Sequence, residues 1–369
     1  MHKKVIRDIL NSADIEINSN RPQDIIVHNE AFYKRVLTKG TLGLGESYMD
    51  GWWDGNKLDQ FFLYALKGNL KKHVRNLRTM GVFIAQALIF NAGNKVKSLI
   101  VGRKHYDSGN DLYKAMLDKR MVYTCGYWKD AGTLDEAQEA KLDLICRKVG
   151  LKPGMRVLDI GGGWGSFAKF AAEKYGVEVV ATTISKEQKK LGDELCEGLS
   201  VEIRLEDYRD TNGKFDAVVS VGMFEHVGYK NYKTFMKKVH ELLADDGLFL
   251  LHTIGGNKTT IATDPWLDKY IFPGGMIPSI KQIGKSIEKL FVMEDWHNFG
   301  SDYDKTLMEW YKNFDAHWPE LKEKYGERFY RMWKFYLLSS AGLFRARETQ
   351  LWQVVLSKKG VVGVYKSVR

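Results

Sequence analysis

The chain has 369 residues, 44% of them hydrophobic and 28% charged, which is ordinary for a globular protein able to bury its own core without staples. Its three cysteines (Cys125, Cys146 and Cys196) are odd in number and form no Cys-x-x-Cys pair, which fits a reducing cytoplasm and excludes a disulfide framework or a structural zinc site. The net charge of +10 is uneven: from Ala65 to Lys104 there is no acidic residue, and the stretch carries Lys67, Lys71, Lys72, Arg75, Arg78, Lys95, Lys97, Arg103 and Lys104.

Met1-His2-Lys3-Lys4 leads into a polar amphipathic stretch with no apolar h-region, so no signal peptide is expected. No run of about 18 apolar residues occurs, so no spanning helix is expected either. Residues 1–92 read as mostly helical. Within them, Leu42 to Trp53 is glycine-rich and then aromatic, and Leu58 to Leu70 has apolar residues at helical spacing. Val82 to Phe90 is apolar on most faces and lies between two basic blocks. It reads equally as a buried core helix or as a helix lying on a membrane surface. The basic field around it favours an anionic partner, phospholipid headgroups or nucleic acid. Residues from Lys104 to Asp118, including His105-Tyr106-Asp107, read as a connector into a helix.

From Leu134 the pattern alternates. Helices are expected at Leu134–Val149, Ser166–Tyr175, Lys186–Glu197 and Tyr232–Leu243. Strands are expected at Arg156–Ile160, Val177–Thr182, Val201–Leu205, Phe215–Val221 and Gly247–Thr253. Such alternation predicts an α/β fold with a parallel, doubly wound sheet. After Asn257 come aromatic helices and a loop-like stretch, with antiparallel edge strands expected from Gln350–Leu356 and Gly363–Val368.

The strongest local signal is Val157-Leu158-Asp159-Ile160-Gly161-Gly162-Gly163-Trp164-Gly165, a buried strand running into a glycine turn and then a helix. Glycines permit positive φ and close approach of a ligand to the backbone. The spacing differs from the dinucleotide pattern G-x-G-x-x-G. It resembles motif I of the class I S-adenosylmethionine methyltransferases, which implies a Rossmann-like sheet and that cofactor. The turn's N–H groups suit the cofactor's carboxylate, and Asp159 its ammonium end. On this resemblance the cofactor set is Tyr123, Thr124, Asp159, Gly161, Gly163, Trp164, Gly165, Thr183, Gln188, Asp207 and Tyr208. Thr183 and Gln188 stand where many relatives place an acidic residue for the ribose.

Other strand ends carry side-chain chemistry: Glu225 and His226 after the fourth strand, His252 at the end of the fifth, and Cys125 in Tyr123-Thr124-Cys125-Gly126-Tyr127-Trp128. With Leu42–Trp53, His105-Tyr106-Asp107, Val221–Gly228, Leu250–Ile254, Tyr270–Gly275 and Asp295–Gly300, they make the chain similar to the cyclopropane-fatty-acyl-phospholipid synthase family over nearly its whole length. The resemblance implies transfer of a methylene group from S-adenosylmethionine to the cis double bond of an unsaturated phospholipid acyl chain. It implies a bound bicarbonate as proton acceptor, held by Cys125, Glu225, His252, the backbone at Ile254, and Tyr303, with no metal. Cys125, Glu225, His252 and Tyr303 are the implied catalytic residues. Trp128, Tyr270, Phe272 and Tyr303 are candidates to line an apolar pocket.

One departure stands at Ser340, before Ala341-Gly342-Leu343-Phe344-Arg345-Ala346-Arg347, where relatives can carry cysteine. A serine without a neighbouring base is a poor nucleophile, so the position reads as structural. The resulting division is a lipid-engaging N-terminal helical domain at 1–92, a linker at 93–120 and a catalytic domain at 121–369. The implied partners are an anionic membrane surface and a second copy of the chain, and no nucleic acid. The expected location is the cytoplasm, peripherally on the inner face of the cell membrane.

Overall fold

The computed structural model describes residues 2–68 and 109–369. Most of the acid-free basic stretch, the Val82–Phe90 segment and His105-Tyr106-Asp107 lie outside the described residues. The chain divides into two compact units. Among the described residues one comprises 2–68, 261–273 and 303–349, and the other 109–260, 274–302 and 350–369.

The first unit opens with α1 (His2–Asn11), β1 (Ile25–Val27), α2 (Ala31–Met49), β2 (Trp53–Gly55) and α3 (Leu58–Lys67). The antiparallel pair β1–β2 is an addition to the mostly helical reading. Glycine explains the Leu42–Trp53 motif: a Cβ on Gly45 would stand 2.3 Å from the Trp266 ring, so only glycine lets α2 meet that indole. One residue on, Glu46 accepts from Lys269 Nζ at 2.6 Å and Tyr270 Oη at 3.0 Å, and pairs with Arg35 at 3.0 Å. These partners hold its carboxyl down at about 2 against the cost of burial. The motif around Ser340 is also a packing device. A Cβ on Gly342 would meet Phe62 Cβ at 2.6 Å. Arg345 bonds both oxygens of Asp304, at 2.8 and 2.9 Å, and reaches Asp59.

In the second unit come α4 (Asn110–Met116), α5 (Leu134–Lys148), β3 (Arg156–Ile160), α6 (Ser166–Tyr175), β4 (Glu178–Thr183), α7 (Lys186–Leu195), β5 (Val201–Leu205), β6 (Phe215–Val221), α8 (Tyr232–Leu242) and β7 (Leu243–Gly256). After β7 the chain supplies α9 (Pro265–Tyr270) to the first unit, and α10 (Ile280–Ile287) and β8 (Val292–Asn298) to the second. Helix α11 (Ser301–Tyr325) and α12 (Glu327–Arg345) follow, and β9 (Thr349–Ser357) ends the series. Thr133 starts α5 with a reciprocal cap, its hydroxyl accepting from Glu136 N while the Glu136 carboxylate accepts from Thr133 N.

The sheet order is β5-β4-β3-β6-β7-β9-β8, with β5 through β7 parallel. Two apolar clusters, one containing Phe235, Met236, Val239 and Ile283, the other Leu142, Ile145, Phe167 and Phe170, pack against its two faces. This is the doubly wound α/β sheet expected from the alternation. Two strand readings are corrected. Gln350–Leu356 lies inside β9, between β7 and β8, and is not an edge; Val292–Asn298 is the edge, antiparallel to it. Its seven consecutive buried residues from Gln350 to Leu356 are what an interior strand requires. Gly363–Val368 forms no strand. Its place is set by side chains instead, through Tyr365 Oη to Lys148 O at 2.8 Å and Arg369 to both Asp295 oxygens at 2.6 Å.

Candidate active site

Chain order reverses between β3 and β6, so the crevice beyond their carboxyl ends is the natural ligand site of this sheet. Gly161, Gly163 and Gly165 have φ of 80°, 58° and 80°, a region closed to most side chains. A Cβ on Gly161 would also stand 2.6 Å from Met223 Cγ, and one on Gly163 would meet nothing within 4 Å. The turn therefore packs closely on the β6 side and is open at its tip. Asp159 is 2% exposed, and burial pushes its carboxyl up to about 7. Trp164 is buried, donates from Nε1 to Asn110 Oδ1 at 3.1 Å and lies 4.9 Å from Tyr113, which in turn meets Tyr123 at 5.2 Å.

The residues expected to hold the outer part of the cofactor sit at the end of β4, in the first turn of α7 and just after β5. Thr183 Oγ1 donates to Gln188 Oε1 at 2.7 Å, which leaves the Gln188 amide nitrogen for a ligand. Asp207 is held by Arg209 at 2.5 and 2.7 Å. Tyr208 is 8% exposed, with its ring 5.2 Å from Phe235 in the core.

The β6–β7 register pairs Val221 with His252, and Gly222 N donates to His252 O at 2.9 Å. That register brings the turn after β6 alongside the end of β7. Ile254 N donates to Glu225 Oε1 at 2.7 Å. Glu225 is half-buried as a residue, but its Oε2 is shut from solvent and, among the described residues, has no hydrogen-bond partner. Burial pushes this carboxyl up to about 7, against the pull of the Ile254 N–H. His252 is 1% exposed. Its Nδ1 meets Gln353 Nε2 at 3.3 Å, while Nε2 is buried and has no partner among the described residues. With the Gln353 amide nitrogen toward Nδ1, the ring proton sits on Nε2. Burial, with the charges of Lys141 and Lys148, drives the His252 pKa far down, so the ring is neutral. Its face meets Phe299 at 6.0 Å.

The strap 122–127 reaches the same corner. A Cβ on Gly222 would stand 2.6 Å from Thr124 Cγ2. Cys125 is wholly buried, with its thiol donating to Gly126 O at 3.1 Å. Trp128 N donates to Asp302 Oδ2 at 2.7 Å. Tyr303 and the aromatic candidates Tyr270 and Phe272 belong to the first unit. There the Tyr303 ring packs 4.5 Å from Phe344, and Phe272 lies 5.7 Å from Tyr336.

The structure thus joins Glu225 directly to Ile254, whose N–H is spent on the carboxylate, and sets His252 two residues before it on the same strand. Sequence reasoning missed Gln138, Lys141 and Gln353. The first two sit on the buried stripe Leu134, Gln138, Lys141, Ile145 and Lys148 of α5, all buried. A polar residue at each core-facing turn of an amphipathic helix is a signal that could have found them.

The sequence matches the family described as mycolic acid cyclopropane synthetase over residues 94–354. It is 55% identical over 355 residues, 96% of this chain and 93% of the relative, to a cyclopropane-fatty-acyl-phospholipid synthase of Escherichia coli. The fold is similar to the solved cyclopropane synthase MmaA2 from Mycobacterium tuberculosis, with a TM-score of 0.66 and 32% identity over 70% of this chain and 98% of that one. It is similar, with the same four values, to mycolic acid cyclopropane synthase CmaA1 complexed with SAH and CTAB.

Proposed function

The chain belongs to the mycolic acid cyclopropane synthetase family, and from that premise we propose that it closes the cyclopropane ring on a phospholipid acyl chain with a bound bicarbonate as proton acceptor. It is an S-adenosylmethionine-dependent methyltransferase acting on an unsaturated lipid to make cyclopropane fatty acyl phospholipid. The observation that carries the bicarbonate reading is the pair of buried, unpartnered polar atoms Glu225 Oε2 and His252 Nε2. Buried polar groups without partners are costly, and two of them at one strand end suit a small polar guest.

When bound, S-adenosylmethionine supplies an electrophilic methyl group; the residues that would hold it are the positive-φ glycines of the turn, Asp159, Trp164, Tyr123 and Thr124, with Thr183, Gln188, Asp207 and Tyr208 toward the nucleoside. An alkene is a weak nucleophile, so alignment must supply much of the rate, roughly 7–11 kcal/mol at best. Methyl transfer would exchange that cofactor's C–S bond for the new C–C bond and would leave a cation on the neighbouring acyl carbon. Aromatic faces offset that charge by roughly 0.5–2 kcal/mol each. A proton then leaves the added methyl, and its C–H electron pair closes the ring. Bicarbonate supplies the base for that proton. Neutral His252 donates from Nε2, and protonated Glu225 donates from Oε2, both toward an anion. Ile254 acts on this reading through Glu225, by fixing its other oxygen. Cys125 is a small wall, and a phenolic O–H from Tyr303 is what the family resemblance implies.

Among the described residues no helix is long and apolar enough to cross a membrane. Acyl chains lie within a bilayer, so docking on an anionic surface from the cytoplasmic side is part of the proposal. The basic residues between Ala65 and Lys104 would each supply about 1 kcal/mol near such a surface. A homodimer is proposed on the resemblance.

The test is product mass. Incubating the protein with S-adenosylmethionine and vesicles of cis-unsaturated phospholipid should add one CH₂ per acyl chain with loss of the olefin signal. A CH₂ gained with the olefin retained would favour simple methylation, and no cofactor turnover on any unsaturated lipid would overturn the enzyme reading.

A further inference from the structure

Helix α5 carries two lysines on its buried stripe, seven residues apart. Lys141 is 0% exposed and Lys148 is 1% exposed. Taking an ammonium out of water is costly unless charge and hydrogen bonds compensate it. Lys148 is compensated by Asp295 Oδ2 at 3.6 Å and by His297 Nδ1 at 3.0 Å. Lys141 is not. Among the described residues no carboxylate lies within ion-pair distance of it, and its three donors meet one acceptor, Thr124 Oγ1 at 2.7 Å.

That single bond is part of a larger grip. Gln138, one turn earlier, donates to Thr124 O at 2.8 Å. Ala137 O accepts from Tyr127 N at 2.8 Å, and a Cβ on Gly126 would stand 2.9 Å from Ala137 Cβ. Helix α5 therefore seats the strap 122–127 along its length. Thr124 in turn lies against Gly222, two residues before the paired turn that carries Glu225. The ionisable groups that feel Lys141 through space are Asp118, Cys125, Asp159 and His252. Two of these four belong to the anion corner and one to the cofactor turn.

A small anion beside Glu225 needs positive charge nearby, because the corner's own side chains supply neutral donors only. Of the two buried lysines, Lys141 is the one without a carboxylate at its ammonium. We propose that Lys141 is a positioning residue of the reaction centre: it holds Thr124, and with it Cys125, and its charge lets the corner take up the anion. This rests on the bicarbonate reading above.

The test uses the full chain carrying Lys141→Met or Lys141→Gln. Turnover on vesicles of unsaturated phospholipid is followed as sodium bicarbonate is added to carbon-dioxide-free buffer, with calorimetric binding of S-adenosylmethionine alongside. Both variants should need at least about tenfold more bicarbonate for half-maximal rate, since a tenfold change matches the loss of about 1.4 kcal/mol. Cofactor affinity, which Thr124 and Asp159 also serve, should fall by a smaller factor than the one by which the bicarbonate requirement rises. At saturating bicarbonate Lys141→Gln, which keeps a donor for Thr124, should recover more turnover than Lys141→Met. Unchanged half-saturation in both variants would overturn the assignment of Lys141 alone. A parent with no bicarbonate dependence would overturn the bicarbonate reading itself. If neither variant folds, the ¹⁵N signals of the buried lysine ammonium groups in the parent decide, with Lys148→Met used for assignment. The Lys141 signal should shift on adding bicarbonate, and an unmoved signal would overturn the proposal.

Discussion

The two ends of the crevice over β3, β6 and β7 are built from different materials. At the end proposed for the cofactor the backbone leads: three glycines at positive φ, with the buried Asp159 and Trp164 beside them. At the end proposed for proton handling the backbone serves the side chains, as when Ile254 N–H fixes Glu225 and leaves the other carboxylate oxygen without a partner among the described residues. A site made of backbone fails when a Cβ is added. A site made of buried polar atoms fails when one atom is exchanged, and it carries a standing cost in stability even when intact.

One expected effect that sharpens this contrast is at the turn. Gly161→Ala adds a methyl 2.6 Å from Met223 Cγ at a φ of 80°. The strain is about 1–2 kcal/mol for the φ alone, and the cofactor's seat moves with it. Calorimetry should show S-adenosylmethionine binding weakened by tenfold or more, with the bicarbonate requirement unaltered; intact affinity would mean the turn does not hold the cofactor.

An effect of opposite sign is expected at the other end. Burial raises the Glu225 carboxyl to about 7 in the folded chain from its ordinary value of 4.5. The folded state thus favours the protonated form, and stability is lost as pH climbs from about 4.5 through about 7. Glu225→Gln removes the ionisation. It should stabilise the fold at pH 8 by roughly 2–3 kcal/mol, with little gain at pH 4. Denaturant melts at the two pH values check this, and equal effects at both would show that the carboxyl is not held neutral by burial.

The two ends also differed in how far the sequence revealed them. The turn is a contiguous string, Asp159 to Gly165, and a contiguous string carries its own geometry. Strand and helix periods gave the parallel sheet for the same reason. The corner is assembled by register: Glu225 meets Ile254 because Val221 pairs with His252, which no local pattern states. Its residues stood out singly at strand ends and were joined into one site only through a family resemblance, and its supports went unread. Lys141 and Gln138 look like solvated positions until their stripe on α5 is seen to face inward. The strand Gln350–Leu356 was misplaced at the edge because periodicity reports burial but not neighbours. The helices 303–345 group with the first residues of the chain through contacts such as Gly342 on Phe62 and Arg345 on Asp59, far apart in sequence.

The central claim is that cofactor holding and proton handling are separate functions of one crevice, and Glu225→Gln tests it most directly when cofactor binding and turnover are measured on the same preparation. The account predicts S-adenosylmethionine affinity within about threefold of the parent's and turnover lower by about 10²–10⁴-fold, the usual scale for loss of an acid–base group. Cofactor affinity falling in step with turnover would contradict it, because Glu225 would then belong to the cofactor's seat and not to the anion's.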